Sequence, residues 1–570
     1  MGKQSIWRQL FTFKEPQVEP GFVLAWDEPE ELEGTKQKAE EFLDEQYYFQ
    51  PGSQLTGNLA KDIKTIKDAF NHHEEILGER RVTISGTEAA VLFLPNLADR
   101  KIIGRDIIAQ MGVLQDSKPE TILAAIAADN AQFVEDLNFG FERLLQGQTM
   151  VLIAGEKRFI IADSKSSPHR AVEKPITERV LKGAQEGLVE DLTTNLGLIQ
   201  KRLRTRRLTI EKMEIGTLSR TECAVLSLDG IVNPRLLKEV RRRMKGIKID
   251  FLMDNGVLEQ LIEDSTYFPY PQVATIERPD RVAASLTEGK VAILVDGSPQ
   301  AIVVPTSAAN FIHSAEDYSV RWPYGIYMRF VRITALFIIL FLPALYVALN
   351  IYQPELLPTD LLFSLVAIKL RAPLPTIIEV LILEFIYEIL REASVRSPQY
   401  LATPIIVTAG LFLGLVSVYT QIINPILLIV VVVTGIAAFT IPEFSTSLSF
   451  RLTRYIYVLL AFMFGIVGIV FGIFIQLYLL VYQKSFGVPM LAPIAPFTKR
   501  SRDIILMRPA TQRKKRPDQF DPLQVSRQPK ISQSWKTEQE KPGNAPETPP
   551  EGNPERKNSK FSTEGGDEND

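Results

Sequence analysis

The sequence predicts an α/β cytoplasmic head of two similar modules, then an α-helical multi-pass membrane domain, then a disordered tail. Three observations predict this. Long uncharged runs lie between Phe330 and Tyr482 and nowhere before them, and a hydrocarbon core of about 30 Å takes roughly 20 apolar helical residues per crossing. Ahead of these runs, TEAAVLFL from Thr87 and TECAVLSL from Thr221 repeat each other, each after a short VTI or LTI run. From about Lys515 the chain is rich in Pro, Lys, Glu, Ser and Asn, and too poor in apolar residues to order itself.

Composition excludes several function classes. A formal net charge of -3 over 570 residues gives nucleic acid no reason to be a partner. The single cysteine, Cys223, forbids an intramolecular disulfide and suits a reducing compartment. His72, His73, His169 and His313 share no metal-ligand spacing, and no nucleophile and base stand at useful spacing. No catalytic residue, metal or cofactor is therefore predicted. The opening MGKQSIWRQLFTFKEPQVEPGF lacks the apolar core of a secretory signal, which keeps the head in the cytoplasm.

Residues 1–54 are polar and acidic; the run DEPEELEGTKQKAEEFLDEQ reads as a solvated helix or a lid on the first module. Residues 55–165 form that module, with LAKDIKTIKDAF helical, RVTISGTEAAVLFL two strands around a turn, and MVLIAGEKRFIIAD a hairpin. Residues 166–206 read as a helical linker. Leu192, Leu196, Ile199 and Leu203 share one face, and Lys201, Arg202, Arg204, Arg206 and Arg207 make a basic end, solvated or set against acidic lipid or an acidic neighbour. The second module spans 207–320, where Gly289 and Gly297 are spaced as Gly147 and Gly155 are in the first. Within it, Pro279 biases Arg278 towards an extended backbone and readies it to pair with Glu277, Asp280 or Asp296 in a clamp. Asp296, Gly297, Ser298 and Pro299 read as a hairpin turn.

The membrane domain, 321–498, opens with a span from Phe330 to Ile351. Arg321, Arg329 and Arg332 precede it and only Glu355 and Asp360 come after it, which holds the head inside. Leu361–Leu370 is too short to cross, and Pro373 and Pro375 break it from a helix over Thr376–Arg396, giving a re-entrant or interfacial element. That helix carries Glu379, Glu384, Glu388, Arg391, Glu392 and Arg396. Glu384, Glu388, Arg391 and Glu392 fall within an arc of about 100°, with Glu379 opposite. They read either as an ion vestibule or coupling surface, or as an interfacial helix with Glu388 and Arg391 paired. Thr403–Ile423 and Pro425–Pro442 make a hairpin of spans, and Thr403, Val407, Gly410, Gly414, Ser417 and Gln421 line one face of the first. Such a stripe either packs helices closely or lines a pore in an oligomer. The last span, Tyr455–Tyr482, is long enough to tilt. About four spans place the tail, 499–570, beside the head, at the cost of putting Arg391, Arg396, Arg451 and Arg454 outside, against the charge rule.

Several blocks in order resemble one family: NLGLIQKRL at Asn195, FPYPQVATIERPDRVAASLTEGKVAILVDGSP from Phe268, and SAEDYSVRW from Ser314. LPALYVAL, PLPTIIEVLILEFIYEILREASVRSP from Pro373 and SFGVPMLAP from Ser485 continue it. Together they resemble the GerA family, the A subunits of spore germinant receptors. The resemblance implies a homo-oligomer in the spore inner membrane, in contact with membrane lipid, working with B and C subunits and opening as a ligand-gated ion channel to start germination. It also implies that Glu277, Arg278, Pro279, Asp280, Asp296, Gly297, Ser298 and Pro299 are head signatures, and that Glu379, Glu384, Arg391, Glu392 and Arg396 are the membrane signature. Departures occur at Gly183–Leu188, where the family has Gly-Pro-Arg-Glu-Gly-Phe, and at Gln200 and Leu374, where it has arginine and phenylalanine. A non-conducting scaffold of germination complexes and a stage V sporulation AF-type paralogue are the alternatives.

Overall fold

The computed structural model describes residues 54–70, 76–165, 182–370, 374–396, 424–496 and 507–527, besides isolated positions within 174–180 and 407–419. The N-terminal run DEPEELEGTKQKAEEFLDEQ lies outside the described residues.

The head begins with α1 (Leu59–Ala69), started by Asn58, whose side chain accepts the Lys61 N–H. Strands β1 (Gly78–Ile84) and β2 (Thr87–Phe93) form a hairpin. A helical run, Arg100–Ile102, Ile103–Ile108 and Ala109–Gly112, is π-helical in its middle. Then come α2 (Pro119–Ala125), β3 (Gln132–Val134), α3 (Leu137–Leu144), β4 (Thr149–Ile153) and β5 (Phe159–Ala162). The same succession is repeated: α4 (Leu192–Arg202), β6 (Leu208–Ile215), β7 (Thr221–Leu228), α5 (Pro234–Gly246), α6 (Asn255–Ile262), β8 (Ala274–Ile276), α7 (Pro279–Thr287), β9 (Val291–Val295) and β10 (Ala301–Val304). The two antiparallel sheets share one strand order, β1-β2-β4-β5-β3 and β6-β7-β9-β10-β8.

Alternation along the strands explains the layers. In β2, Ala90 and Leu92 face a core shared by both sheets, while Ala89 and Val91 face the helices behind. In β7, Ala224, Leu226 and Leu228 join the shared core, while Cys223 and Val225 face α5 and α6. The helix α4, read from sequence as a linker, lies between the sheets. Its Leu192, Leu196 and Ile199 are buried there, and a Cβ on Gly197 would stand 2.6 Å from the Asn96 carbonyl oxygen. Its basic end meets an acidic neighbour, Arg202 pairing with Glu186 at 2.5 Å, and Arg206 lies over the Phe141 ring.

Among the described residues, the helices above the head are α8 (Trp322–Ile351), α9 (Thr359–Lys369), α10 (Thr376–Arg396), α11 (Pro425–Ala438) and α12 (Phe444–Tyr482), which form a bundle. Among the described residues, α8 and α12 are long and apolar enough to cross a membrane. The structure corrects the expectation of one tilted span over Tyr455–Tyr482. A straight helix of 39 residues would reach about 58 Å, nearly twice the apolar thickness. The chain instead folds back at Gly465 (φ 62°, ψ -143°), a conformation open to glycine alone. The Tyr457 hydroxyl donates to Gln476, 19 residues on, and a Cβ on Gly472 would meet the Tyr457 ring at 2.7 Å. The bend touches the far end of α8, where the Tyr352 hydroxyl donates to the carbonyl oxygens of Phe462 and Met463 at 2.8 and 3.1 Å.

The second leg returns to the head, where β11 (Lys484–Ser485) and β12 (Val488–Pro489) pair. There the Phe486 N–H donates to Asp264 at 2.8 Å, and Arg243 lies over the Phe486 ring. The expectation of disorder from Lys515 also fails for 515–527, which belong to a strap on the second module. Arg516 donates to the carbonyl oxygens of Thr287 and Gln524 at 2.7 and 3.0 Å. The Leu523 N–H donates to Ile231 at 3.0 Å, and Phe520 is buried. Average composition hides these few anchors.

Replacing Gly465 with alanine forces a side chain into a glycine-only backbone and sets its Cβ 3.1 Å from Tyr352 and Gln353. Thermal unfolding in detergent should show a loss of about 1–3 kcal/mol, while Val467→Ala, at an exposed site on the same hairpin, should leave the midpoint almost unchanged.

Candidate functional site: the seat of the head on the bundle

The loop FPYPQ, before β8, carries the seat. Pro271 biases Tyr270, the residue before it, away from helix, and the Tyr270 ring packs against Phe268, Phe311 and Phe450. A buried phenol needs partners. The Tyr270 hydroxyl donates to Thr453 Oγ1 at 3.3 Å and accepts from Gln476 Nε2 at 2.7 Å, so it touches both legs of α12. Beside it, Gln272 Oε1 accepts from Gln483 Nε2 at 2.7 Å and the Gln272 carbonyl from the Ser485 hydroxyl at 2.6 Å.

Beside this contact, charges converge. Glu384 and Glu388, on one face of α10, meet Arg451 and Arg454 of α12. Arg454 Nη2 stands 2.6 Å from Glu384 and 3.4 Å from Glu388; Arg451 Nη1 stands 2.8 Å from Glu388, and Arg391 Nε 3.2 Å. Glu384 and Arg454 are each about 1 % exposed at the side chain. The Glu388–Arg391 pair expected from sequence is present, inside a larger network rather than at an interface. Accordingly α10 is a member of the bundle, with Val380 and Leu383 in its core. Arg451 and Arg454 flank Thr453 in sequence, whose hydroxyl accepts from Tyr270, so the network stands beside the contact of the head with α12. Glu392 and Arg396 form an exposed pair at 2.6 Å. Glu379, on the opposite face, is buried within electrostatic range of Lys369, whose ammonium donates to the Asn350 carbonyl at the far end of α8 at 2.7 Å.

At the root of α8, Asp317 is buried with Arg329 at 3.3 Å and Arg332 at 2.8 Å. Those arginines were read as a cytoplasmic flank; they also lock the helix to the connection before it.

The head signatures prove to be joints. Arg278 takes Asp280 in two bonds, at 3.0 and 2.7 Å, with Pro279 opening α7. Asp296 accepts the Leu192 N–H at 3.1 Å and so fastens α4, while Gly297 (φ 84°) donates to the Glu190 carbonyl at 2.8 Å. Gly155 (φ 86°) makes the matching bond to Gly57 in the first half. Glu277 accepts from Gln300 at 3.2 Å, and Ser298 and Pro299 complete the turn.

Of the small-residue stripe, Val407, Gly410 and Gly414 are described and helical; Thr403, Ser417 and Gln421 lie outside the described residues. A Cβ on Gly410 would meet nothing within 4 Å, and on Gly414 only Leu428 at 3.9 Å, while Val407 is 61 % exposed. Among the described residues the face is open at Val407 and Gly410 and touched by Leu428 at Gly414.

Sequence reasoning missed Tyr270, Gln476 and the inward role of Arg451 and Arg454. The violated charge rule was the available signal for the arginines; two prolines around one tyrosine was that for the loop. Among the described residues no group of His, Cys, Asp and Glu could hold a metal.

Comparison with known proteins agrees in kind. Residues 64–519 match the family described as Bacillus/Clostridium GerA spore germination protein. The chain is 33% identical over 489 residues to spore germination protein GerLA of Bacillus cereus, covering 84% of this chain and 98% of that one. It is 31% identical to spore germination protein KA of Bacillus subtilis (strain 168), covering 84% and 89%. A solved structure, the N-terminal domain of the A subunit of the Bacillus megaterium spore germinant receptor GerK3, is 25% identical, covers 45% of this chain and 98% of that one, and has a TM-score of 0.36.

The geometry makes two outcomes testable. Arg454→Met strands the buried Glu384 carboxylate and should cost roughly 3–5 kcal/mol in denaturant unfolding, much of it recovered by adding Glu384→Met. On α6, burial, with Glu263 and Glu443 nearby, pushes the Glu259 carboxyl up to about 8; burial, with Asp264 nearby, pushes Glu263 up to about 7. Because the folded state then holds protons that the unfolded chain releases near 4.5, this contribution is full below that pH and lost on rising to about 8. Unfolding across that window should be flatter for Glu259→Gln and Glu263→Gln than for the parent.

Proposed function

The chain belongs to the Bacillus/Clostridium GerA family of spore germination proteins, and from that premise we propose that it is the A subunit of a spore nutrient germinant receptor. It oligomerises in the spore inner membrane into a ligand-gated ion channel and works with B and C subunits. Its head is a duplicated pair of α/β modules on the cytoplasmic side. The passes are α8, α10, the span expected over Thr403–Ile423, α11 and the two legs of α12, six in number. An even number keeps the strap on the head's side.

One observation carries the channel reading. Among the described residues, Gly410 and Gly414 meet little of their own chain, a Cβ on Gly410 nothing within 4 Å and on Gly414 Leu428 at 3.9 Å, which leaves this face open to a further copy or a water-filled axis. The seat gives such a channel a transmission. Tyr270 touches both legs of α12, and α12 is tied to α10 through Arg451 and Arg454, so a shift of the head reaches every pass it grips.

The test is ion flux from liposomes holding the purified chain with its B and C partners, before and after a nutrient mixture. Gated flux that Gly414→Leu abolishes without changing assembly is the expected result. No flux from a verified, oriented complex would replace the channel with a scaffold whose working surface is the head.

A further inference from the structure

The strap starts beside the root of α8, and there the two make a surface that neither makes alone. The apolar part of α8, Phe330 to Ile351, is about 33 Å long and fills the hydrocarbon core. Tyr327 and Tyr324 then stand roughly 5 and 9 Å outside it, at the level of the lipid headgroups. They are 61 % and 64 % exposed, and Trp322 is 45 % exposed. Tyr327 shares a helical face with Thr334 and Leu345, which are exposed as well, so its ring continues a face that the apolar run leaves open. Rings with a polar edge gather at this level in membrane helices.

Onto this root the strap brings charge. Met507 packs on Gly325, where a Cβ would stand 2.8 Å from its Sδ; Arg513 lies 5.1 Å over the Tyr318 ring, and its Nε donates to the Arg508 carbonyl at 2.8 Å. Arg508, Lys514 and Lys515 are exposed, as is Arg321 before α8. Residues 507–517 contain Arg508, Arg513, Lys514, Lys515 and Arg516 and no acidic residue, and α8 contains none either. Asp317, the buried acid at the root, is held by Arg329 and Arg332. Arg321, Lys514 and Lys515 have no ion pair among the described residues. We infer that the root of α8 and the strap together bind the phosphate headgroups of anionic lipid on the head's side of the membrane. Tyr324 and Tyr327 sit among the headgroups, and Arg321, Arg508, Lys514 and Lys515 attract their charge, each cation held at such a surface raising binding about fivefold. Because Arg516 and Leu523 fasten the same strap to the second module, bound lipid ties the head to the membrane at a point other than Tyr270. The inference rests on the bundle standing in a bilayer and is independent of ion conduction.

The full chain is placed in nanodiscs of phosphatidylcholine alone, or with roughly one lipid in three phosphatidylglycerol. Hydrogen exchange is read at Gln512, Arg513 and Arg516, whose N–H groups are bonded within the strap and exchange when it opens. Exchange should be about tenfold slower with phosphatidylglycerol, and native mass spectrometry should find phosphatidylglycerol retained over phosphatidylcholine. Arg508→Gln, Lys514→Gln and Lys515→Gln combined should remove both differences, whereas Arg508→Lys, Lys514→Arg and Lys515→Arg combined should keep them. Equal exchange in the two lipids, or a difference that survives the glutamine variant, would overturn the inference while leaving conduction untouched. Glycerol phosphate added to phosphatidylcholine nanodiscs should protect nothing; protection equal to that by the lipid would make this a site for a soluble anion and overturn it too. A chain that fails to enter nanodiscs would remove the membrane reading and this inference together.

Discussion

The ion network between α10 and α12 is the constraint on which the bundle depends. Arg454 and Glu384 are taken almost completely out of water, a step that costs several kcal/mol per ion and is tolerable only when both charges are placed together. Because Arg451 and Arg454 meet Glu384 and Glu388, α10 is held against the first leg of α12, next to the Thr453 that Tyr270 contacts. The same pairing explains how a helix with so many charges stands among apolar neighbours: its ions are spent on one another.

The second dependence is glycine. Gly465 turns α12 back on itself, and Gly468 and Gly472 let the two legs close, since a Cβ on Gly468 would fall 2.0 Å from the Leu460 carbonyl oxygen. This hairpin creates the pair of surfaces that Tyr270 bridges. Without the fold-back, Thr453 and Gln476 would stand about 35 Å apart along one helix, and no single phenol would reach both. The seat of the head is thus a consequence of a backbone conformation available to one residue type.

Much of the head was legible. The period-2 alternation of TEAAVLFL and TECAVLSL placed two equivalent strands, and the pairs Gly147 with Gly155 and Gly289 with Gly297 marked equivalent turns, all four now with positive φ. Arg278 was expected to clamp a neighbouring carboxylate and does so with Asp280, while Asp296 caps α4 instead. The helix α4 was misread as a linker because its apolar face was counted without a surface to receive it. The strap was misread because Met507, Phe520, Pro522 and Leu523 are few among many polar residues, and an average over the tail dilutes them.

By itself the sequence determined what depends on neighbours in the chain: strand alternation, helix starts, proline breaks, the apolar runs, and the motifs that mark the family. Tertiary structure alone decided how those runs are folded against each other. Hydropathy is a property of a stretch and carries no direction, so it cannot tell a long tilted span from a hairpin at Gly465, or a charged interfacial helix from one whose charges meet partners more than sixty residues away. Those outcomes are set by pairwise distances, between Arg454 and Glu384 and between Tyr270 and Gln476, which exist only once the chain has closed on itself.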